Sequence, residues 1–163
     1  MWSAAASIGA EAYSAAIRLH GLLPAHDGYR FSIDATDINQ NVLDLAKRAE
    51  FDEYTVQNID KGELSGCFIH DLHRNLYRLR SEIASSVHFR RHNLLEQPRG
   101  PSYDLVFLCN VLFYFDEDSK SKAMGHIVSR MRHGSYLFLG GADSIPMRKD
   151  HFERIRSTIH RRI

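Results

Sequence analysis

Residues 103–111 read YDLVFLCNV, a short and nearly all-apolar run that ends on a polar Asn110. A strand apolar on both faces belongs in the middle of a parallel sheet, where helices cover each side. Working outward, hydrophobic periodicity alternates between strand and helix. "VHFRRHNLL" (87–95) is expected to be a strand leading into a Pro- and Gly-containing loop at 97–102. A helix is expected from about Ser119 to Met131, then a buried strand in "SYLFLGG" (135–141). "HFERIRSTIHRRI" (151–163) reads as two short strands around Ser157–Thr158.

The earlier half follows the same plan. Met1 to Ala5 looks like the tail of a strand. Ala10 to Leu23 is expected to be a helix with Tyr13, Ile17 and Leu19 turned inward, ended by Gly21 and Pro24. "YRFSIDATD" (29–37) alternates at Phe31, Ile33 and Ala35, and a helix from about Asn39 carries Val42, Leu43 and Ala46 on one face. The stretch Phe51–Ser86 is less regular, and its "LYRLRSEI" (76–83) suits a strand of a small inserted subdomain. The whole predicts a doubly wound α/β sheet across residues 1–163, with an insertion at about 51–86.

Composition narrows the function classes. The chain has 163 residues, 44% hydrophobic and 25% charged, as an ordinary globular domain does. Lys and Arg number 21 against 20 Asp and Glu, so no net charge of +1 calls for a polyanionic partner. No apolar run approaches the roughly 18 residues of a membrane span, and the first segment lacks the basic start of a signal peptide. A cytoplasmic protein without membrane insertion is expected. Cys67 and Cys109 have no spacing for a zinc site or a disulfide framework, and both read as partly buried thiols. His70 with His73 and His88 with His92 lack the acidic or cysteine partners that would complete a metal site.

In doubly wound sheets, ligands bind beyond the carboxyl ends of the strands. Four features gather there. Gly9 and Glu11 sit in "ASIGAEAYS" (6–14), either a plain strand–turn–helix connection or a cradle for a polar ligand. Asp37 closes the second strand, where a carboxylate accepts from the vicinal hydroxyls of a ribose, or caps the next helix, a task Asn39 performs equally well. Asn93 follows the third strand, either as a turn residue or as an amide for an adenine edge. Asn110 ends the apolar run of the central strand, with Tyr114 four residues on. A dinucleotide is disfavoured, because G-x-G-x-x-G spacing is absent and Glu11 would face the pyrophosphate. Ribose and adenine without phosphate point to S-adenosylmethionine, whose ammonium suits a nearby carboxylate.

Several segments together resemble one family. "WSAAASIGAEAYS", "ATDINQNVLDLAKRAEFDEY", "VHFRRHNLLEQ", "YDLVFLCNVLFYFDEDSKSKAM" and "GSYLFLGGADSI" look, in order, like the successive motifs of the CheR chemotaxis receptor methyltransferases. The resemblance implies a Rossmann-like seven-stranded methyltransferase sheet and methyl transfer from S-adenosylmethionine to receptor glutamates, leaving S-adenosylhomocysteine. It implies that Glu11, Asp37, Asn93, Leu94 and Asn110 line the cofactor site, with Asp37 on the ribose and Asn93 and Leu94 flanking the adenine. Tyr114 matches the family's tyrosine beside the reactive methyl group. The partner implied is the cytoplasmic region of a chemoreceptor.

Departures from the pattern accompany the resemblance. Where the family reads close to Ser-Thr-Gly-Glu-Glu-Pro-Tyr-Ser, this chain has Ser7-Ile8-Gly9-Ala10-Glu11-Ala12-Tyr13-Ser14. Cys109 stands where the family carries an arginine. The chain is expected to begin inside the first strand, without the family's N-terminal helical domain and the linker arginine. Two other functions remain open: a cofactor-binding or interaction module that no longer catalyses, and a nucleic-acid methyltransferase. The second would use the basic clusters Arg78–Arg80, His88–His92 and Arg154–Arg162, which alternate with apolar residues as solvated strand faces do.

Overall fold

The structure, a computed structural model, describes residues 1–23, 28, 30–144 and 151–163. Seven strands form one sheet in the order β6-β2-β1-β7-β8-β10-β9. They are β1 (Trp2–Ser3), β2 (Ile33–Asp37), β6 (Val87–Arg91), β7 (Tyr103–Leu108), β8 (Met131–Leu139), β9 (Phe152–Arg154) and β10 (Ile159–Arg162). β6, β2, β1, β7 and β8 run parallel, and β8–β10–β9 close the sheet antiparallel. The chain leaves β1 toward β2 on one side and returns to β7 on the other. The carboxyl ends of β1, β2 and β7 therefore flank the switch in strand order, where such sheets open a crevice.

β1 is only two residues long, yet it sits at the centre. Its place is held by side chains: the Trp2 indole N–H donates to Thr36 Oγ1 on β2 at 2.9 Å, and the Thr36 hydroxyl donates to the Ala4 carbonyl at 3.3 Å. Trp2 and Thr36 are wholly buried, so the polar atoms satisfy one another rather than water.

Helix α1 (Ala10–Leu22) packs Ala12, Tyr13, Ala16 and Ile17 against Ile33 and Ala35 of β2. Helix α6 (Glu117–Val128) packs Ala123, Met124 and Ile127 against Val106, Leu108 and Leu137 on the opposite face. β7 is less enclosed than its sequence predicts. Tyr103, Val106 and Leu108 are buried, but Leu105 and Phe107 on its other face are half-buried, and Phe107 stacks on Phe138 at 4.5 Å. The aromatic ring pair makes that face apolar without full cover.

Gly21 does not end α1, which runs to Leu22, and Pro24 lies outside the described residues. The second strand starts at Ile33 rather than Tyr29, with Phe31 packed on the core from the preceding loop. α6 begins two residues before Ser119 because Asp116 is its cap, accepting from Ser119 N–H at 2.8 Å. It stops at Val128, not Met131. Arg130 is held by the Pro98 and Gly100 carbonyls of the β6–β7 loop, which turns the chain out of the helix.

The irregular stretch folds as a second, three-stranded sheet in the order β3-β5-β4, from β3 (Glu50–Phe51), β4 (Phe68–Asp71) and β5 (Leu76–Leu79). Its helices are short: α3 (Glu53–Val56), α4 (Lys61–Cys67) and, after it, α5 (Ser81–Ala84); α2 (Gln40–Ala46) precedes it. Phe51, Val56, Phe68 and Leu79 share the α1-side core, so the small sheet is anchored to the large one.

Candidate functional site

A cleft of about 330 Å³ opens at the carboxyl ends of the parallel strands. Asp37, Asn93, Leu94 and Tyr114 all line it, so four of the seven expected site residues meet there. Ile38, Leu95, Val111 and Phe115 supply apolar walls. Gly9, Glu11 and Asn110 are not among its lining residues: Gly9 lies in the turn after β1, Glu11 in the first turn of α1 and Asn110 just beyond β7.

Asp37 does not cap α2; Asn39 does, with its side-chain oxygen accepting from Asn41 N–H at 3.0 Å. Asp37 Oδ2 accepts the Ser7 N–H and Oδ1 the Asn39 N–H, each at 2.9 Å. Two backbone donors thus fix the carboxylate while leaving one lone pair on each oxygen for hydroxyls. Asn93 Oδ1 accepts the Leu95 N–H at 3.0 Å. Its carbonyl half makes the turn, and among the described residues no hydrogen bond engages its two amide hydrogens. Leu94 is buried at the floor. Tyr114 ends the 3-10 turn Leu112–Tyr114, is 76% exposed, and lies against Phe113 with ring centroids 4.2 Å apart.

The turn after β1 is tight. Ser7 and Gly9 both have positive φ, +49° and +85°. A Cβ on Gly9 would stand 2.9 Å from the Phe89 ring and 3.1 Å from Ala46. Glycine is thus required there both by backbone conformation and by the packing of β6 and α2. Glu11, in the first turn of α1, accepts the hydroxyl of the fully buried Ser3 at 2.6 Å. Cys109 sits close by, and its thiol pKa is pushed well up, first by burial and then by the negative charge of Glu11. It is a neutral thiol, not an ionised nucleophile.

Asn110 has φ +57°, uncommon for a side-chain-bearing residue, and its backbone is held by a residue that sequence reading missed. Asp143 accepts N–H donors from Asn110, Val111, Leu112 and Gly140. The only hint of it in the sequence is an acid two residues beyond the Gly140-Gly141 pair that ends β8.

Among the described residues no group of three or more His, Cys, Asp and Glu side chains stands where it could hold a metal ion. Nor is any described helix long and apolar enough to cross a membrane. The three basic clusters fall on β5, β6 and the β9–β10 pair, in two different sheets. Arg161 is paired with Glu153 at 2.7 Å, and Arg90 donates to the Arg99 carbonyl.

Residues 1–161 match the family model described as CheR methyltransferase, SAM binding domain. The chemotaxis protein methyltransferase of Vibrio anguillarum is 33% identical over 164 residues, covering 96% of this chain and 58% of that protein. Chemotaxis protein methyltransferase 1 of Vibrio cholerae serotype O1 is 32% identical with the same coverage. The chain therefore spans little more than half the length of these curated relatives. A solved O-methyltransferase family protein from Burkholderia thailandensis has the same fold, with a TM-score of 0.52 at 18% identity over 85% of this chain and 31% of that one.

Proposed function

The chain belongs to the CheR methyltransferase SAM-binding domain family, and on that premise we propose that it binds S-adenosylmethionine and serves protein-glutamate O-methylation of a chemoreceptor's cytoplasmic region. The observation that carries the reading is the Asp37 carboxylate, fixed by two backbone N–H groups at the rim of an apolar cleft in the strand-order switch. That donor set fits the group. An acid with free lone pairs suits vicinal hydroxyls, and an apolar slot with a donating amide at Asn93 suits an adenine ring.

In this reading the cofactor supplies an electrophilic methyl on a sulfonium. A substrate glutamate, already ionised, would need no general base to take that methyl, the C–S bond breaking to leave the neutral thioether S-adenosylhomocysteine, so this chain's residues would contribute placement and electrostatics. Asp37 holds the ribose, Asn93 donates to the base, and Leu94 packs on its face. Glu11, oriented by Ser3, attracts the ammonium. Asn110 borders the same strand ends, Gly9 makes the turn that brings Glu11 there, and Tyr114, at the exposed mouth, would face the methyl group and the substrate. The whole chain acts as one methyltransferase domain working in the cytoplasm, with the three-stranded sheet as an inserted subdomain.

Cys109 favours a second reading, a binding module with little turnover. A neutral thiol against Glu11 offers no cation to a substrate carboxylate where the family pattern has arginine. Calorimetric titration with S-adenosylmethionine and S-adenosylhomocysteine tests the shared premise. Micromolar binding supports both readings, and no detectable binding refutes both.

A further inference from the structure

We propose that Asp143 is a positioning residue, a clamp whose carboxylate sets the loop that carries Asn110 and Tyr114; its effect on ligand binding rests on the cofactor reading above. Asp143 lies just beyond β8, the neighbour of β7 in the sheet. Its Oδ2 accepts the Asn110 N–H at 2.5 Å and the Gly140 N–H at 3.1 Å. Its Oδ1 accepts the Val111 N–H at 3.1 Å and the Leu112 N–H at 2.9 Å. Three consecutive amides converging on one anion form a concave backbone nest, and here the anion is a side chain of the same protein.

The clamp explains two facts together. Asn110 sits at φ +57°, a left-handed conformation that asparagine tolerates better than most side-chain-bearing residues, and the clamp ties its N–H there. Position 140 must be glycine, because a Cβ there would stand 2.7 Å from the Asn110 nitrogen and 2.8 Å from Asp143 Oδ2, and would collide with the Asn110 side-chain oxygen. Leu112, the third residue clamped, is fully buried and begins the turn that ends at Tyr114, where the Tyr114 N–H donates to the Val111 carbonyl at 3.2 Å. The orientation of Asn110 and the start of the Tyr114 turn are thus fixed from one point outside both.

Asp143→Asn tests this with little change of shape. The amide keeps one acceptor oxygen, but its NH2 meets two N–H donors whichever way it is turned. Amide hydrogen exchange and titration with S-adenosylhomocysteine are measured on wild type and variant. The clamp predicts at least about tenfold faster exchange at Asn110, Val111 and Leu112, unchanged exchange at Ile33 and Ala35 of β2, and an affinity about tenfold lower. A purely structural role would move the β2 amides along with the loop.

Unchanged exchange at the three loop amides overturns the clamp. Faster exchange with unaltered affinity overturns the positioning role. If the wild type does not bind S-adenosylhomocysteine, the functional reading fails while the exchange arm still decides the clamp. Should the variant unfold, the unsubstituted protein decides: NMR couplings across hydrogen bonds from the Asn110 and Leu112 nitrogens to the Asp143 carboxyl carbon are expected, and their absence refutes it.

Discussion

At the scale of the residue, Asp37 and Asn39 separate two tasks that the sequence left open between them. Asn39 caps α2, while Asp37 is tied to the Ser7 and Asn39 N–H groups and faces the cleft. Asp37→Ala should therefore weaken S-adenosylhomocysteine binding by about 1.5–3 kcal/mol, the scale of charged hydrogen bonds. Asn39→Ala should lower stability by about 1 kcal/mol as a lost cap and leave affinity nearly unchanged. Parallel titrations and thermal melts of the two variants check this, and equal affinities would misplace the ribose. Asp37 was legible because it ends an alternating strand. Asp143 was not, since its four donors come from segments up to 33 positions away.

Single elements carry two further expectations. β1 contributes two residues to the sheet, so its seat depends on the Trp2–Thr36 hydrogen bond. Thr36→Val keeps the volume and strands the buried indole N–H, which should cost about 1–3 kcal/mol in urea unfolding. A cost below about 0.3 kcal/mol would show that β1 is held by its backbone pairing instead. On β10, His160 is buried, its Nδ1 has no hydrogen-bond partner among the described residues, and burial, aided by Arg154, lowers its pKa. The unfolded chain takes up a proton near the ordinary histidine value of about 6.5, whereas the folded chain resists it. The contribution of His160 to stability should accordingly be complete above that pH and be lost as pH drops below it, until the lowered folded pKa is passed. His160→Gln should flatten part of this fall between pH 7 and 5. His92, whose pKa burial also lowers, should supply a further part.

For the molecule as a whole, binding and turnover should part. The cleft residues suited to a nucleoside are present, yet Cys109 brings no positive charge to the strand end. We expect this 163-residue chain to bind cofactor and to methylate a receptor fragment slowly or undetectably. Each lost transition-state contact typically costs tenfold to a thousandfold. Robust methylation by the unsubstituted chain, followed with a labelled methyl group, would refute this.

The sequence by itself determined the strand–helix alternation, the two closing strands around Ser157–Thr158, and Asp37 and Asn93 at their strand ends, because local periodicity writes these directly along the chain; Leu94 and Tyr114 entered the site only through the family resemblance. It also marked 51–86 as different, though not as a three-stranded sheet. There the strands are two to four residues long, too short for alternation to register, and their pairing is antiparallel and out of order. Only the tertiary structure decided which face of β7 is covered, why α6 stops at Val128, and that Ser3 orients Glu11. It alone revealed Asp143 under the Asn110 loop. Each of these depends on groups that folding brings together, and a hydrogen bond between distant residues, such as those from the Asn110 loop to Asp143 some thirty positions on, leaves no periodic trace in the chain that makes it.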